Sequence, residues 1–178
     1  MRKLSNSLKE SRFVDLINKK FTGEIRKEDM IGNLQKLKPV DLGIETSVLW
    51  ADKDLCVDKK YLFTFYEVTD MLKDSEWRLP TVSEVKELKN YKIDFRKGKY
   101  IFTNKGKSLT FYPHGLISVF STSEEIQFSD AVEGWTADEE YEDCISIYEI
   151  HHSGIFNPGK YPVMDKNYLL SARLVKDK

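Results

Sequence analysis

The strongest constraint on this chain is a series of short alternating runs after residue 90. "YIFTN" (100–104), "SLTFYP" (108–113), "ISIYEIH" (145–151) and "LLSARLVK" (169–176) each put apolar residues at every second position. A period of two belongs to half-buried strands, since successive side chains leave opposite faces of the pleat. "NKGK" (104–107) joins the first two runs and predicts a tight hairpin, with glycine supplying the positive φ that such turns require. Strands this short cannot bury an apolar face alone. The second half of the chain therefore reads as a set of short strands, and the chain as α+β, with helices early and strands late.

The first half supplies the helices. Leu4, Leu8, Val14, Ile17 and Phe21 approximate one apolar stripe, broken at Thr22-Gly23. A second helix is predicted over about 24–31 with Ile25, Met30 and Ile31 inward. Pro39 closes the region, because the residue before a proline avoids the helical basin. Residues 1–38 carry ten Lys/Arg against five Asp/Glu, a balance of +5, so the remainder must be −6 to give the formal net charge of −1. We read 1–38 as a basic helical appendage and 39–178 as the main domain. The appendage either packs on the domain or docks to another subunit. In the main domain, "SVLWAD" (47–52) is a strand. "YLFTFYEVTDML" (61–72) starts as a strand and continues as a helix. Pro80 to about Asn90 is a helix with proline in its first turn, Thr81 or Ser83 as capping oxygens, and Val82, Val85 and Leu88 on one face. Residues 113–143 read as a long irregular section, the kind of segment that is often functional.

Five segments occur in a telling order: "VDLGIETSVLWAD" (40–52), "WRLPTVSEVKEL" (77–88), "SLTFYPHG" (108–115), "GWTADEEYEDCISIYEIHHSG" (134–154) and "LLSARLVK" (169–176). The series resembles the Fibrobacter major paralogous domain family over about residues 40–178, most specifically in WRLPT. The resemblance implies an α+β, C-type-lectin-like fold. That means a small twisted antiparallel sheet, two flanking helices and a long loop region that often carries ligand recognition. It is also the fold of formylglycine-generating enzymes, but their reactive cysteine pair is missing. Leu174 stands where family members often have Cys, and Cys144 is alone. The sugar-binding triplets of calcium-dependent lectins are missing as well, so calcium-dependent sugar binding is unsupported.

Little else points to catalysis. The chain has no P-loop, G-x-S-x-G, H-E-x-x-H or G-x-G-x-x-G. Cys56 and Cys144 are read as two core thiols, with a single disulfide between them as the alternative. His151 and His152 are adjacent on a strand and face opposite ways, so they do not share a metal. "DEEYED" (138–143) lacks the ligand spacing and glycine turn of a calcium loop. No cofactor, metal or enzymatic activity is expected. A pI near 6.3 gives no footprint for nucleic acid. "MRKLSNSLKESRF" leads into no apolar run, and no window approaches a membrane span. A cytosolic location is expected, or a virion if the chain is phage-encoded.

From Ser108 to Gly159 there is no Lys or Arg but there are ten acids, with aromatics interleaved. This composition is that of a solvated acidic surface or of a face that recognises a protein partner. The expected binding residues are Phe120, Glu124, Glu125, Phe128, Asp130, Trp135, Asp138, Glu139, Glu140 and Tyr141. The partner is another protein, a subunit of a particle docked through the N-terminal helices, or a second copy whose basic arm lies on the acidic face. Trp77, Arg78 and Pro80 are expected to act as a structural latch, anchoring the entry of the helix that follows.

Overall fold

A computed structural model describes residues 27–117, 126–127, 130–151, 154–156 and 163–178. The chain is α+β, mostly sheet with few helices. Helix α1 (Lys27–Leu34) leads into β1 (Pro39–Val40) and β2 (Val48–Ala51). A loop then reaches β3 (Leu62–Phe63), α2 (Phe65–Leu72) and α3 (Val82–Glu87), the last extended by a 3₁₀ turn at Leu88–Asn90. A meander follows: β4 (Lys92–Arg96), β5 (Lys99–Asn104) and β6 (Lys107–Phe111). The rest is β7 (Leu116–Ile117), β8 (Ile126–Gln127), β9 (Val132–Tyr141), β10 (Cys144–His151), β11 (Gly154–Phe156), β12 (Val163–Asp165), β13 (Leu170–Ser171) and β14 (Val175–Asp177). No helix among the described residues is long and apolar enough to cross a membrane.

The largest sheet runs β11-β10-β9-β13-β3, with β12 also paired to β10; a second sheet runs β1-β2-β14. The β9–β10 hairpin is a shared wall. Ile145, Ile147 and Trp135 join a core with Phe63, Val68, Trp77 and Leu79, while Tyr148, Ile150 and Val132 join another with Trp50, Tyr100, Phe102 and Phe111. The alternation of a strand thus serves two cores at once. Opposite Tyr148 stands Gly134, where an added Cβ would fall 2.3 Å from the tyrosine Cζ. The ring lies across the glycine, and only a residue without a side chain fits beneath it.

Local signals account for the smaller elements. Both turns of the meander are Lys-Gly pairs with positive φ: 52° and 70° at Lys97-Gly98, and 45° and 84° at Lys105-Gly106. Only the second hairpin was expected, although "RKGK" (96–99) repeats its turn chemistry. Helices α2 and α3 each begin with a capping box, Thr64 with Glu67 and Thr81 with Glu84. Pro80 is therefore outside α3 rather than in its first turn. Its carbonyl instead accepts a hydrogen bond from Ala137 N at 2.9 Å.

Two further expectations are corrected. Ile31 was placed inward, yet it is 46% exposed and Leu34 is the residue that turns in. Leu34 and Leu37 share a core with Trp77 and Trp135, so the end of the basic segment packs with the domain. The stripe from Leu4 to Phe21, with Ile25, lies outside the described residues. Last, 132–141 is not irregular: it is a ten-residue strand. Its first half is buried between the cores and its second half is mostly exposed. The acids of the exposed half made the whole read as loop.

Candidate functional site

WRLPT is a structural junction. Trp77 is 4% exposed, and Lys176 Nζ sits 5.3 Å from its ring centroid. Arg78 donates to both Glu84 carboxylate oxygens, at 2.6 and 2.9 Å, and to Asp177 Oδ1 at 2.9 Å. Its backbone exchanges two bonds with Val175. The same Glu84 oxygen accepts from Thr81 N at 2.7 Å. Those bonds and the Arg78 charge outweigh the cost of burial and hold the Glu84 carboxyl below its ordinary pKa.

Most of the described residues expected to bind a partner are engaged within the chain. Trp135 is fully buried; its indole N–H donates to Phe63 O at 2.8 Å and its ring meets Phe65 edge-on. It packs the core and is no surface anchor. Asp138 Oδ2 accepts from Val82 N at 2.6 Å, satisfying the first free N–H of α3. Glu139 pairs with Lys166 at 3.2 Å, and Glu140 accepts from Ser146 Oγ at 2.8 Å. Asp130 is exposed, with its carbonyl accepting from Tyr100. Tyr141 is 71% exposed. Phe120, Glu124, Glu125 and Phe128 lie outside the described residues.

A different place gathers the chemistry. The loop between β2 and β3, the end of α1 and the residues after β6 enclose a cleft of about 530 Å³. This is within the size range of small-ligand sites. Its lining includes Lys53, Asp54, Cys56, Tyr61, Tyr112 and His114. The backbone fixes the loop at several points: Ala51 N bonds Leu174 O, Leu55 N bonds Ala172 O, and Val57 and Lys60 pair across a turn at Asp58-Lys59. Both turn residues have positive φ. Leu55 and Val57 are fully buried on either side of half-buried Cys56.

Beneath the cleft lies an ion pair with almost no access to water. Arg173, fully buried, donates Nε–H to Asp54 Oδ1 at 2.8 Å. Its other nitrogens reach Ala51 O, at 2.9 Å, and Thr110 O, and its guanidinium stacks 4.4 Å from the Phe111 ring centroid. Asp54 Oδ2 is 3.1 Å from His114 Nε2. Burial alone would raise the Asp54 pKa, but the Arg173 charge and the His114 bond outweigh it and keep the carboxyl below its ordinary value. An ionised carboxylate only accepts, so Nε2 carries the proton. In neutral His114, Nδ1 then holds the lone pair.

Three aromatic rings form the walls. Tyr61 stacks on His114 with centroids 4.5 Å apart and planes 14° from parallel. Tyr112 leans toward the same imidazole at 6.3 Å. Tyr61 and Tyr112 are 39% and 44% exposed, at the mouth. The neighbouring Cys56 thiol pushes the Tyr61 phenol up, with burial and the Asp54 charge adding to it. No hydrogen bond joins Cys56 to His114 among the described residues. Nor does any trio of His, Cys, Asp or Glu among those residues form a metal site.

A second titratable group lies apart from the cleft. Glu133 faces Glu149 across the β9–β10 ladder, and His151 Nε2 is 3.3 Å from Glu149 Oε2. Burial, with the Glu149 charge adding, pushes the Glu133 carboxyl up to about 7.

No family model, curated protein or solved structure matches the chain. Of the cleft residues, the sequence singled out only Cys56, as a core thiol, and not Asp54, Tyr61, His114 or Arg173. The available signal was Arg173 itself, a cation inside the apolar run LLSARLV. A buried Arg requires a buried carboxylate, and the sequence does not say which.

Proposed function

We propose that the chain is a non-enzymatic recognition module on a C-type-lectin-like scaffold, with the cleft around His114 as its ligand site. The scaffold reading rests on the ordered motifs from VDLG to SARLV and on helices α2 and α3 beside sheets that are antiparallel except for the β9–β13 pair. One observation carries the site. Tyr61, His114 and Tyr112 converge over an Asp54 carboxylate whose charge is already neutralised from below. Flat, partly exposed aromatic walls with a few fixed polar groups are the usual composition of a ligand pocket. The acidic β9–β10 hairpin is a weaker candidate, since Asp138, Glu139 and Glu140 already hold partners within the chain.

Amide NMR of the full chain against a fragment library tests this. Saturable shifts should cluster at residues 53–61 and 112–114 and vanish in Tyr61→Ala. Ligands that shift only the 132–144 hairpin, or that bind Tyr61→Ala unchanged, would show that the site lies elsewhere.

A further inference from the structure

We infer that the cleft takes a planar ring bearing an anionic group, an inference that rests on the cleft being the ligand site. Shape argues for the ring. Tyr61 and His114 are nearly coplanar in orientation, 14° apart, and the exposed part of Tyr61 offers the same plane to solvent. Rings stack on such faces in offset or edge-on arrangements, and a rigid ring gives up little conformational freedom on binding. Tyr112, tilted 36° from the imidazole, closes the other side at an angle that suits an edge contact.

Charge argues for the anion. Among the described residues the only carboxylate in the lining is Asp54, and both of its oxygens are engaged, one by Arg173 and one by His114. It has little left to offer a cation. Lys53, exposed at the lining, has no such partner carboxylate there. Lys99 Nζ adds a second positive charge 5.8 Å from the Tyr112 ring centroid. Asp52 and Asp58, the nearest acids along the loop, are not in the lining, and the Asp52 carboxylate accepts from Lys38 N. With Arg173 balancing Asp54, Lys53 is the one charge of the described lining that no carboxylate there offsets, and it favours an anion. His114 Nδ1, without a protein partner among the described residues, adds a polar contact for the ligand ring.

Three probes of one size separate the terms: para-hydroxybenzoate, its neutral methyl ester and the cation tyramine. Each is titrated into the full-length chain and followed by NMR. Para-hydroxybenzoate should saturate with a Kd of about a millimolar, as a fragment of this size allows. The ester should bind roughly fivefold more weakly, and Lys53→Glu should weaken the carboxylate probe by about the same factor, as expected for one partly exposed charge pair. Tyramine should bind weakest. Lys53 is on the surface, so the variant should keep the parent spectrum outside the cleft. If the ester or tyramine saturates as tightly as the carboxylate, the anion preference is wrong while the cleft remains a ligand site. If none of the three saturates at residues 53–61 and 112–114, both readings fall.

Discussion

Removing Asp54 should expose how much of the fold depends on one buried charge. Arg173 is fully buried and Asp54 is 3% exposed. Of the three oxygens Arg173 reaches, only that of Asp54 carries a charge; the others are the carbonyls of Ala51 and Thr110. Asp54→Ala therefore strands a cation in the core and leaves His114 Nε2 without its acceptor. Breaking a buried pair from one side costs about 3–5 kcal/mol, a large share of the roughly 5–15 kcal/mol that stabilises a typical domain. Asp54→Asn keeps the shape and one acceptor, so it should cost less. Arg173→Met removes the other half, and the double variant removes both charges. Because replacing a whole buried pair with apolar groups is often close to neutral, the double variant should be more stable than the two single losses summed predict, by about 2 kcal/mol or more. Urea unfolding followed by tryptophan fluorescence at neutral pH measures all four proteins. The Asp54 pKa is held below its ordinary value, so its contribution is complete above the ordinary carboxylate range and is lost only as pH falls through the folded value. Neutral pH thus reads the full effect. Single variants within about 1 kcal/mol of the parent, or a strictly additive double variant, would refute a buried pair holding the loop to the core.

Trp77→Ala should cost about 3–5 kcal/mol in the same assay, as for a buried aromatic; unchanged stability with lost ligand binding would make WRLPT a recognition motif instead. Glu133→Gln should change the pH profile. With a folded pKa of about 7 against an ordinary value of 4.5, the native state keeps a proton that the unfolded chain releases. Stability from this group is full below the lower value and is lost as pH rises to the upper one. The variant should be more stable than the parent near pH 8 by on the order of 1 kcal/mol, reduced by partial solvent screening, and equal to it in acid. Glu149 and His151 stay in place, so superimposable pH profiles would show that Glu133 does not hold the proton.

What the sequence made legible was local. Alternation located β5, β6 and β10, and the apolar patterns and capping residues located α2 and α3, because each of those signals acts over a few residues. The strand β9 was illegible because its exposed half carries Asp138, Glu139 and Glu140, and pairing with β10 overrides their poor strand preference. The cleft was illegible for another reason. His114 is 60 residues from Asp54, and Arg173 is 119 from it. Nothing in a local pattern selects such partners. Trp135 misled because a large aromatic among acids reads as an exposed anchor, whereas one position on a strand decides whether it faces the core.

The separation between Asp54 and Arg173 also sets the timing of folding. β2 finds one of its partners in β14, and Ala51 and Leu55 bond to Leu174 and Ala172. Until residues 172–177 have been synthesised, β2 lacks a neighbour, the cleft loop is untied and Asp54 has no counter-charge. Pairing at this range must overcome a large loop-closure cost before it is rewarded, which makes folding slow and leaves apolar strands unprotected meanwhile. During synthesis the chain passes through a long interval in which both cores are open along the edge that β14 will close. Val48 and Trp50, which the finished protein buries to 2% and 0% exposure, stay uncovered on that side until then.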